Sequence, residues 1–101
     1  MATTIHAGKR TGITVSLPTV MLSATGGRRQ IVLCPGTVEQ ALNELIEQFP
    51  NLLPRLLTEQ KQIHRFVNVY VGNEDIRFLE GLDTPVLDGQ QLTILSAIAG
   101  G

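Results

Sequence analysis

The segment TVEQALNELIEQF, residues 37–49, decides the fold because it contains the clearest helical pattern in the sequence. Its apolar residues recur at intervals of three and four and form a single stripe, which predicts a helix with one buried face. Thr37 followed by Gln40 is a capping-box pattern, and Glu39 lies in the first turn, where the helix dipole favours negative charge. Pro50 ends the predicted helix. The stripe consists of Val38, Ala41, Leu42, Leu45, Ile46 and Phe49.

Two segments before this helix predict a pair of strands. Residues 13–17 alternate apolar and polar side chains, the pattern of a half-buried strand, and Pro18 ends them. After a turn at Gly26-Gly27, residues 29–34 predict the antiparallel return strand.

The chain after the helix predicts three more strands. Residues 51–65 are expected to form a short helical or irregular linker, followed by strands at 66–71, 74–78 and 91–95. Gly72-Asn73 and Asp88-Gly89 supply turns. The order β-β-α-β-β-β predicts an α+β fold, in which one main helix covers a mixed sheet of four to five strands.

The alternation of each strand assigns its residues to one of two sheet faces. The face toward the helix is predicted to carry Ile13, Val15, Leu17, Val67, Val69, Leu92 and Ile94. The opposite face would carry Phe66, Tyr70 and Leu95. These three side chains are either scattered apolar residues or a surface for a partner.

The composition fits one domain with no metal or disulfide needed for folding. The 101 residues are 43% hydrophobic, with 8 basic and 9 acidic side chains and a formal charge of −1. This balance argues against nucleic acid as the main partner, and the apolar runs are too short to cross a membrane. One cysteine makes a reducing cytoplasm the expected location. We expect a flexible arm at 1–11, a folded domain at 12–95 and a flexible tail at 96–101.

The charges are unevenly distributed along the chain. Residues 1–38 contain four basic side chains and no acidic one, whereas residues 39–101 contain four basic and nine acidic side chains. The simplest interpretation is a set of solvated faces. The alternative is that an acidic surface of the C-terminal part docks on a basic partner.

A search for catalytic groups within the domain gives little. No spacing of His6, His64 and Cys34 with acidic residues supports a zinc site, and Cys34 is interpreted as a small buried hydrophobic residue. His64-Arg65 is given a structural role at the surface. Gly26-Gly27 lacks the context of a phosphate-binding loop, so the domain is not expected to be an enzyme.

The sequence ends in Ser96-Ala-Ile-Ala-Gly-Gly101, directly after the last predicted strand. Glycines lack Cβ, so a narrow channel in another protein can close around their backbone. The carboxylate of Gly101 is ionised at neutral pH, and it becomes an acyl donor once ATP converts it to an acyl adenylate. This pattern is typical either of a floppy or truncated terminus or of a reactive tail, and its place directly after a strand favours the reactive tail, with recognition through Gly100, Ala99 and Ile98.

With this strand order and this terminus, residues 12–101 resemble the ubiquitin-like sulfur carriers of the MoaD/ThiS family, which are β-grasp domains ending in Gly-Gly. The resemblance is strongest to the carriers of cysteine biosynthesis, the CysO type. Ser96 departs from the pattern because proline is expected there, which predicts a looser exit of the tail. The motifs are Leu17-Pro-Thr19, Thr25-Gly-Gly27, His64-Arg-Phe-Val-Asn-Val-Tyr-Val71, Glu74-Asp-Ile-Arg-Phe78, Leu92-Thr-Ile-Leu95 and Ala97-Ile-Ala-Gly-Gly101.

The resemblance implies a mechanism and a set of partners. A ubiquitin-activating-like enzyme adenylates Gly101 with ATP, and a sulfide or persulfide then leaves a thiocarboxylate there. In the cysteine branch the sulfur attacks an aminoacrylate on a pyridoxal-phosphate-dependent cysteine synthase, and a metal-dependent peptidase releases the cysteine. ATP, pyridoxal phosphate and zinc belong to these partners, and this chain is expected to bind no cofactor.

Other functions remain open at this point. The sulfur could serve molybdopterin, thiamine or secondary-metabolite biosynthesis. A ubiquitin-like protein modifier would pass the same acyl group to a lysine. An interaction module would use Phe66, Tyr70 and Leu95 without needing the terminus.

Overall fold

The computed structural model describes residues 12–97, which form seven strands and two α-helices. The strands are β1 (Ile13–Ser16), β2 (Gln30–Leu33), β3 (Gly36–Thr37), β4 (Val67–Val71), β5 (Glu74–Asp75), β6 (Pro85–Val86) and β7 (Gln91–Ser96). The helices are α1 (Val38–Gln48) and α2 (Leu53–Leu56), with 3-10 turns at Thr19–Ala24, Pro50–Leu52, Ile76–Phe78 and Gly81–Asp83.

Five strands form the main sheet, in the order β2-β1-β7-β4-β5. The central pair β1 and β7 is parallel, and the other neighbours are antiparallel. The prediction of a mixed sheet beneath one main helix is therefore confirmed. The seven residues assigned to the helix-facing side are all buried, as the alternation of the strands required.

Helix α1 begins at the predicted cap. Thr37 Oγ1 accepts a hydrogen bond from Gln40 N at 3.1 Å, and Gln40 Oε1 accepts one from Thr37 N at 2.9 Å. Two backbone donors at the helix start are thereby satisfied, so the capping box is confirmed. The apolar stripe packs on the sheet through Val38, Ala41, Leu42 and Leu45, all of which are buried.

The start of β1 is fixed by close backbone packing. A Cβ at Gly12 would lie 2.6 Å from Leu33 O, so only glycine fits there. Gly12 N donates a hydrogen bond to the carboxylate of Asp88. Gly89 follows with φ +89° in the predicted turn, so this turn sits beside the start of β1.

Several predictions of local structure are wrong in detail. The segment 74–78 is a strand only at Glu74–Asp75, because Asp75 then caps a 3-10 turn with its carboxylate on Arg77 N at 2.8 Å. A two-stranded sheet of β3 and β6 was not predicted. Cys34 is exposed and not buried, because it follows the inward-facing Leu33 and therefore points outward.

The linker between α1 and β4 has more structure than a simple loop. Pro50–Leu52 and α2 bury Leu52 and Leu56 against the core, and Leu57 pairs with Ile63. Both buried leucines belong to the core cluster beneath the sheet. No helix within 12–97 has the length and apolar character to span a membrane.

Candidate functional site

The last strand is held to β4 up to the final described residue. Ser96 pairs with Val67 in β7, and Ala97 N donates a hydrogen bond to Phe66 O at 2.7 Å. The strand thus extends one residue beyond the predicted end, and Ser96 does not loosen the pairing here. The predicted tail residues Ile98, Ala99, Gly100 and Gly101 lie outside the described residues.

Two of the three predicted partner-surface residues share the sheet face opposite α1. Tyr70 pairs with Thr93 across β4 and β7, and Leu95 pairs with Asn68. Tyr70 and Leu95 are therefore diagonal neighbours, a separation of about 7–8 Å between Cα atoms. Leu95 is 45% exposed and Tyr70 is half-buried. A partner reaching this face would meet an apolar contact two residues before Ala97.

Phe66, the third residue, has a different environment. It immediately precedes β4, packs partly against the core and stacks on the His64 ring with centroids 4.7 Å apart. His64 Nε2 in turn lies 2.9 Å from Pro54 O. Phe66 therefore braces the start of β4, and its carbonyl holds Ala97.

A polar cluster that sequence reasoning missed borders the same sheet face. Arg77 Nη2 donates to Asp75 Oδ2 at 2.6 Å and to Asn68 Oδ1 at 3.1 Å. Hydrogen bonds from the side chain and backbone of Arg77 lower the pKa of Asp75 below its ordinary value, against an opposing effect of burial. Asn68 is the cross-strand partner of Leu95, so this cluster fixes the polar border of the apolar contact.

Four exposed arginines, which we call the exit rim, lie at the end of the sheet where β7 finishes: Arg28, Arg29, Arg55 and Arg65. Because β1 and β7 are parallel, both strands finish at this end. Leu17 N, just after β1, donates to Arg29 O at 2.9 Å, and Arg55 Nη1 donates to Val20 O at 3.0 Å. Arg65 precedes Phe66, the residue that holds Ala97.

Most of the acidic side chains lie at the opposite end of the sheet. That end contains the turn between β4 and β5, the turn before β7 and the start of α1. At the start of α1, Val38 N donates a hydrogen bond to Thr84 O. Arg55 and Arg65 of the C-terminal part lie in the exit rim and not among these acidic residues, and the acidic docking surface in that part stays a prediction. The acidic residues at the far end are Glu39, Glu44, Glu74, Glu80, Asp83 and Asp88.

The described residues offer no group suited to metal binding. No group of three or more histidine, cysteine or acidic side chains within 12–97 is arranged so that it could hold a metal ion. Cys34 N donates to Glu44 Oε1 at 3.1 Å, beyond the end of β2, and His64 lies beside α2.

Comparison with known proteins agrees with this arrangement. The ThiS family matches residues 15–101. The sulfur carrier protein CysO of Mycobacterium tuberculosis is 38% identical over 91 residues, which cover 88% of this chain and 98% of that protein. The crystal structure of the Amycolatopsis orientalis BexX/CysO complex contains a chain with 42% identity and a TM-score of 0.81, covering 88% of this chain and 99% of that one. The crystal structure of Mycobacterium tuberculosis CysO gives 36% identity and a TM-score of 0.79, covering 85% and 99%.

The sheet order, the single covering helix and these structural matches define a ubiquitin-like β-grasp protein. The chain belongs to the ThiS family and is a sulfur carrier similar to CysO. Sulfur carriers of this family are not themselves enzymes.

Proposed function

We propose that the carboxylate of Gly101 is the group that carries sulfur. A carboxylate oxygen attacks the α-phosphorus of ATP on an activating enzyme and expels pyrophosphate, which gives an acyl adenylate. Hydrosulfide then attacks the acyl carbon, AMP leaves, and a thiocarboxylate remains at Gly101. The adenylate is needed because oxide is too poor a leaving group for direct exchange of oxygen by sulfur.

One observation carries this proposal. The match to the ThiS family extends to residue 101, so Gly100-Gly101 lies within the region shared with the family. The hydrogen bond from Ala97 N to Phe66 O supports it, because it fixes the base of the last four residues at one end of the sheet. Four extended residues reach about 13–14 Å, enough to enter a cleft in a partner.

We further propose that the sulfur is used for cysteine. The support is the 38% identity to CysO over nearly the whole length of that carrier. The thiocarboxylate sulfur would attack an aminoacrylate on a pyridoxal-phosphate-dependent synthase, and an S-to-N acyl shift would link cysteine to Gly101. A metal-dependent peptidase would then release the amino acid. ATP, pyridoxal phosphate and the metal are used by these partners.

The sheet face carrying Tyr70 and Leu95 is proposed as the docking surface for the activating enzyme. The apolar contact of Leu95 supplies affinity, and the fixed position of Ala97 next to it directs the last residues into the partner. The BexX/CysO complex supports a partner-bound state for a carrier with this fold. The folded domain thus provides affinity for the enzyme, and the terminus provides the reacting carboxylate.

Intact mass spectrometry tests the proposed reaction. The chain is incubated with its activating enzyme, ATP and sulfide, and it is expected to gain one sulfur-for-oxygen mass difference that fragmentation assigns to Gly101. A variant that lacks only Gly101 is the matched control and is expected to gain nothing while unfolding at the same urea concentration as wild type. No gain by the wild-type chain, or a gain that fragmentation places on Cys34, would contradict the proposal.

The acceptor is tested in a second step. Thiocarboxylated chain is added to the pyridoxal-phosphate synthase and its activated serine substrate, and we expect the mass of one cysteine residue on Gly101. Transfer to a molybdopterin, thiamine or secondary-metabolite precursor in place of cysteine would assign the chain to another branch. Gly101 linked to lysine side chains would identify a protein modifier.

A further inference from the structure

We propose that the exit rim docks on an acidic surface surrounding the entrance through which the activating enzyme takes the tail. This inference rests on the proposed function and adds a second contact region, distinct from the apolar contact at Leu95. The partner is defined by its chemistry, a ring of carboxylates at the mouth of the channel that receives the terminal glycines.

The position of the exit rim follows from strand register. Ser16 pairs with Thr93, so the chain just after β1, including Leu17, lies beside the last residues of β7. Arg29 is hydrogen-bonded to Leu17 there and approaches the exit from the β1 side. Arg65 approaches from the β4 side, one residue before the carbonyl that holds Ala97. Ala97, the last described residue, therefore lies between these two arginines.

The exit rim has charge available for a partner. Arg77 is the only arginine within 12–97 that forms an ion pair, and its partner is Asp75. The four rim arginines form no ion pair with a carboxylate in that range. This holds also for Glu47 on α1 and Glu59 in the turn after α2, the acidic residues that lie outside the far-end group. Each guanidinium has five donors and few of them are used, so bidentate bonds to carboxylates remain possible.

Three of the rim side chains are already oriented by the fold. The Arg28 guanidinium lies 5.7 Å from the centroid of the Phe49 ring. Arg29 Nη1 lies 3.5 Å from Leu17 O, and Arg55 Nη2 lies 3.4 Å from Ser23 Oγ. Preorganised side chains lose less conformational entropy on binding, so these contacts favour use of the exit rim as a recognition surface.

The length of the tail indicates that the exit rim binds carboxylates of the partner and not the phosphates of ATP. Four extended residues span about 13–14 Å, so a partner that binds the tail in an extended form would hold the reacting carboxylate that far beyond Ala97. The rim arginines are anchored to the body at the base of this stretch, so they face the channel entrance while the carboxylate meets ATP inside. Carboxylates of the partner at the entrance are therefore the anions within their reach.

Exposed charges of this kind act mainly on the rate and specificity of association. The KM for the carrier should therefore rise with ionic strength while kcat stays constant, because salt screens solvent-exposed charge pairs. The position of most acidic residues at the far end strengthens this electrostatic effect on association. The resulting charge separation orients the exit rim toward the carboxylates around the partner's channel as the two proteins approach.

The test measures adenylation by pyrophosphate exchange as a function of carrier concentration. Arg65→Gln is chosen because Arg65 makes no hydrogen bond to the rest of 12–97, so its loss should leave folding intact. It is expected to raise KM about two- to fivefold at low salt with kcat unchanged, and Arg65→Lys to restore most of the loss. Arg28→Gln combined with Arg65→Gln should raise KM further, by about five- to twentyfold.

Gln90→Glu is the matched control. It makes the same change in net charge at the far end of the sheet, and its Oε1 can still accept the hydrogen bond from Leu87 N. The inference predicts no change in KM for this variant. Equal KM values for Arg65→Gln, Gln90→Glu and wild type, or a KM independent of salt, would refute docking through the exit rim. Either result would leave the proposed chemistry at Gly101 unaffected. No exchange by the wild-type chain would overturn the proposed function and the inference together.

Discussion

Truncation of Leu95 to alanine should change two quantities that can be measured separately, the KM for activation and the free energy of unfolding. Fully burying a leucine is worth about 1.5–3 kcal/mol, and 45% of this side chain is exposed. A partner that covers the exposed part gains about 0.7–1.4 kcal/mol, so Leu95→Ala should raise the KM for activation about three- to tenfold. The part already covered in the fold should lower the free energy of unfolding by about 0.8–1.6 kcal/mol.

The assay for this prediction is the carrier-concentration dependence of pyrophosphate exchange, with urea unfolding measured in parallel. Val32→Ala is the matched control, because Val32 lies on the same sheet face, is 67% exposed and belongs to the edge strand β2 away from β7. Its KM should equal that of wild type. If Leu95→Ala leaves KM unchanged, or if Val32→Ala raises it equally, the apolar contact beside the tail exit is not the docking surface.

Three further predictions concern the fold. Thr37→Ala removes the capping box and should cost about 1 kcal/mol of unfolding free energy, a fall in Tm of about 4–8 °C by calorimetry, with thiocarboxylation unchanged. Asp75 has a lowered pKa, so its contribution to stability is complete above the ordinary value of 3.8 and is lost as pH falls through the lower pKa of the folded protein. Urea titrations should show Asp75→Asn less stable than wild type at neutral pH and the two converging in acid; a constant difference would contradict this origin. Cys34 should react with a maleimide in the native protein, and Cys34→Ser should retain full activation; protection of the thiol would show that it is buried after all.

The helix and the order of the long strands were predictable because their signals are local. Thr37 and Gln40 mark the helix start within four residues, and the stripe from Val38 fixes its buried face. The alternation of β1, β4 and β7 similarly gave seven helix-facing residues that are all buried, although the set omitted the buried Val71 of β4. These patterns reflect burial on one face, which is the largest stabilising contribution to the fold.

The missed features depend on contacts between distant segments or on very short elements. Strands β3 and β6 have two residues each, too few for any alternation to show. The 3-10 turn after Asp75 arises from one carboxylate that caps the backbone and binds Arg77, which outweighs the strand tendency of Ile76 and Phe78. Cys34 was assigned by residue type, although the inward position of Leu33 already indicated exposure.

The exit rim could not be predicted because register is not a local property. Arg28 and Arg65 are far apart in the sequence, and they share one end of the sheet only because β1 runs parallel to β7 while β4 runs antiparallel to it. The net negative charge of residues 39–101 gave no indication that two of their arginines join this group. The reactive Gly101, in contrast, was assigned from the terminal residues and from the family resemblance, and it stays a prediction.

Transfer of a heavy sulfur isotope tests the central claim most directly. The chain is loaded with labelled sulfide, separated from it, and mixed with the synthase and its activated serine substrate in an excess of unlabelled sulfide. A carrier predicts that the label stays on the chain and appears, undiluted, in cysteine linked to Gly101. Cysteine that contains only unlabelled sulfur would contradict it, because the sulfur would then have come from solution and not from this protein.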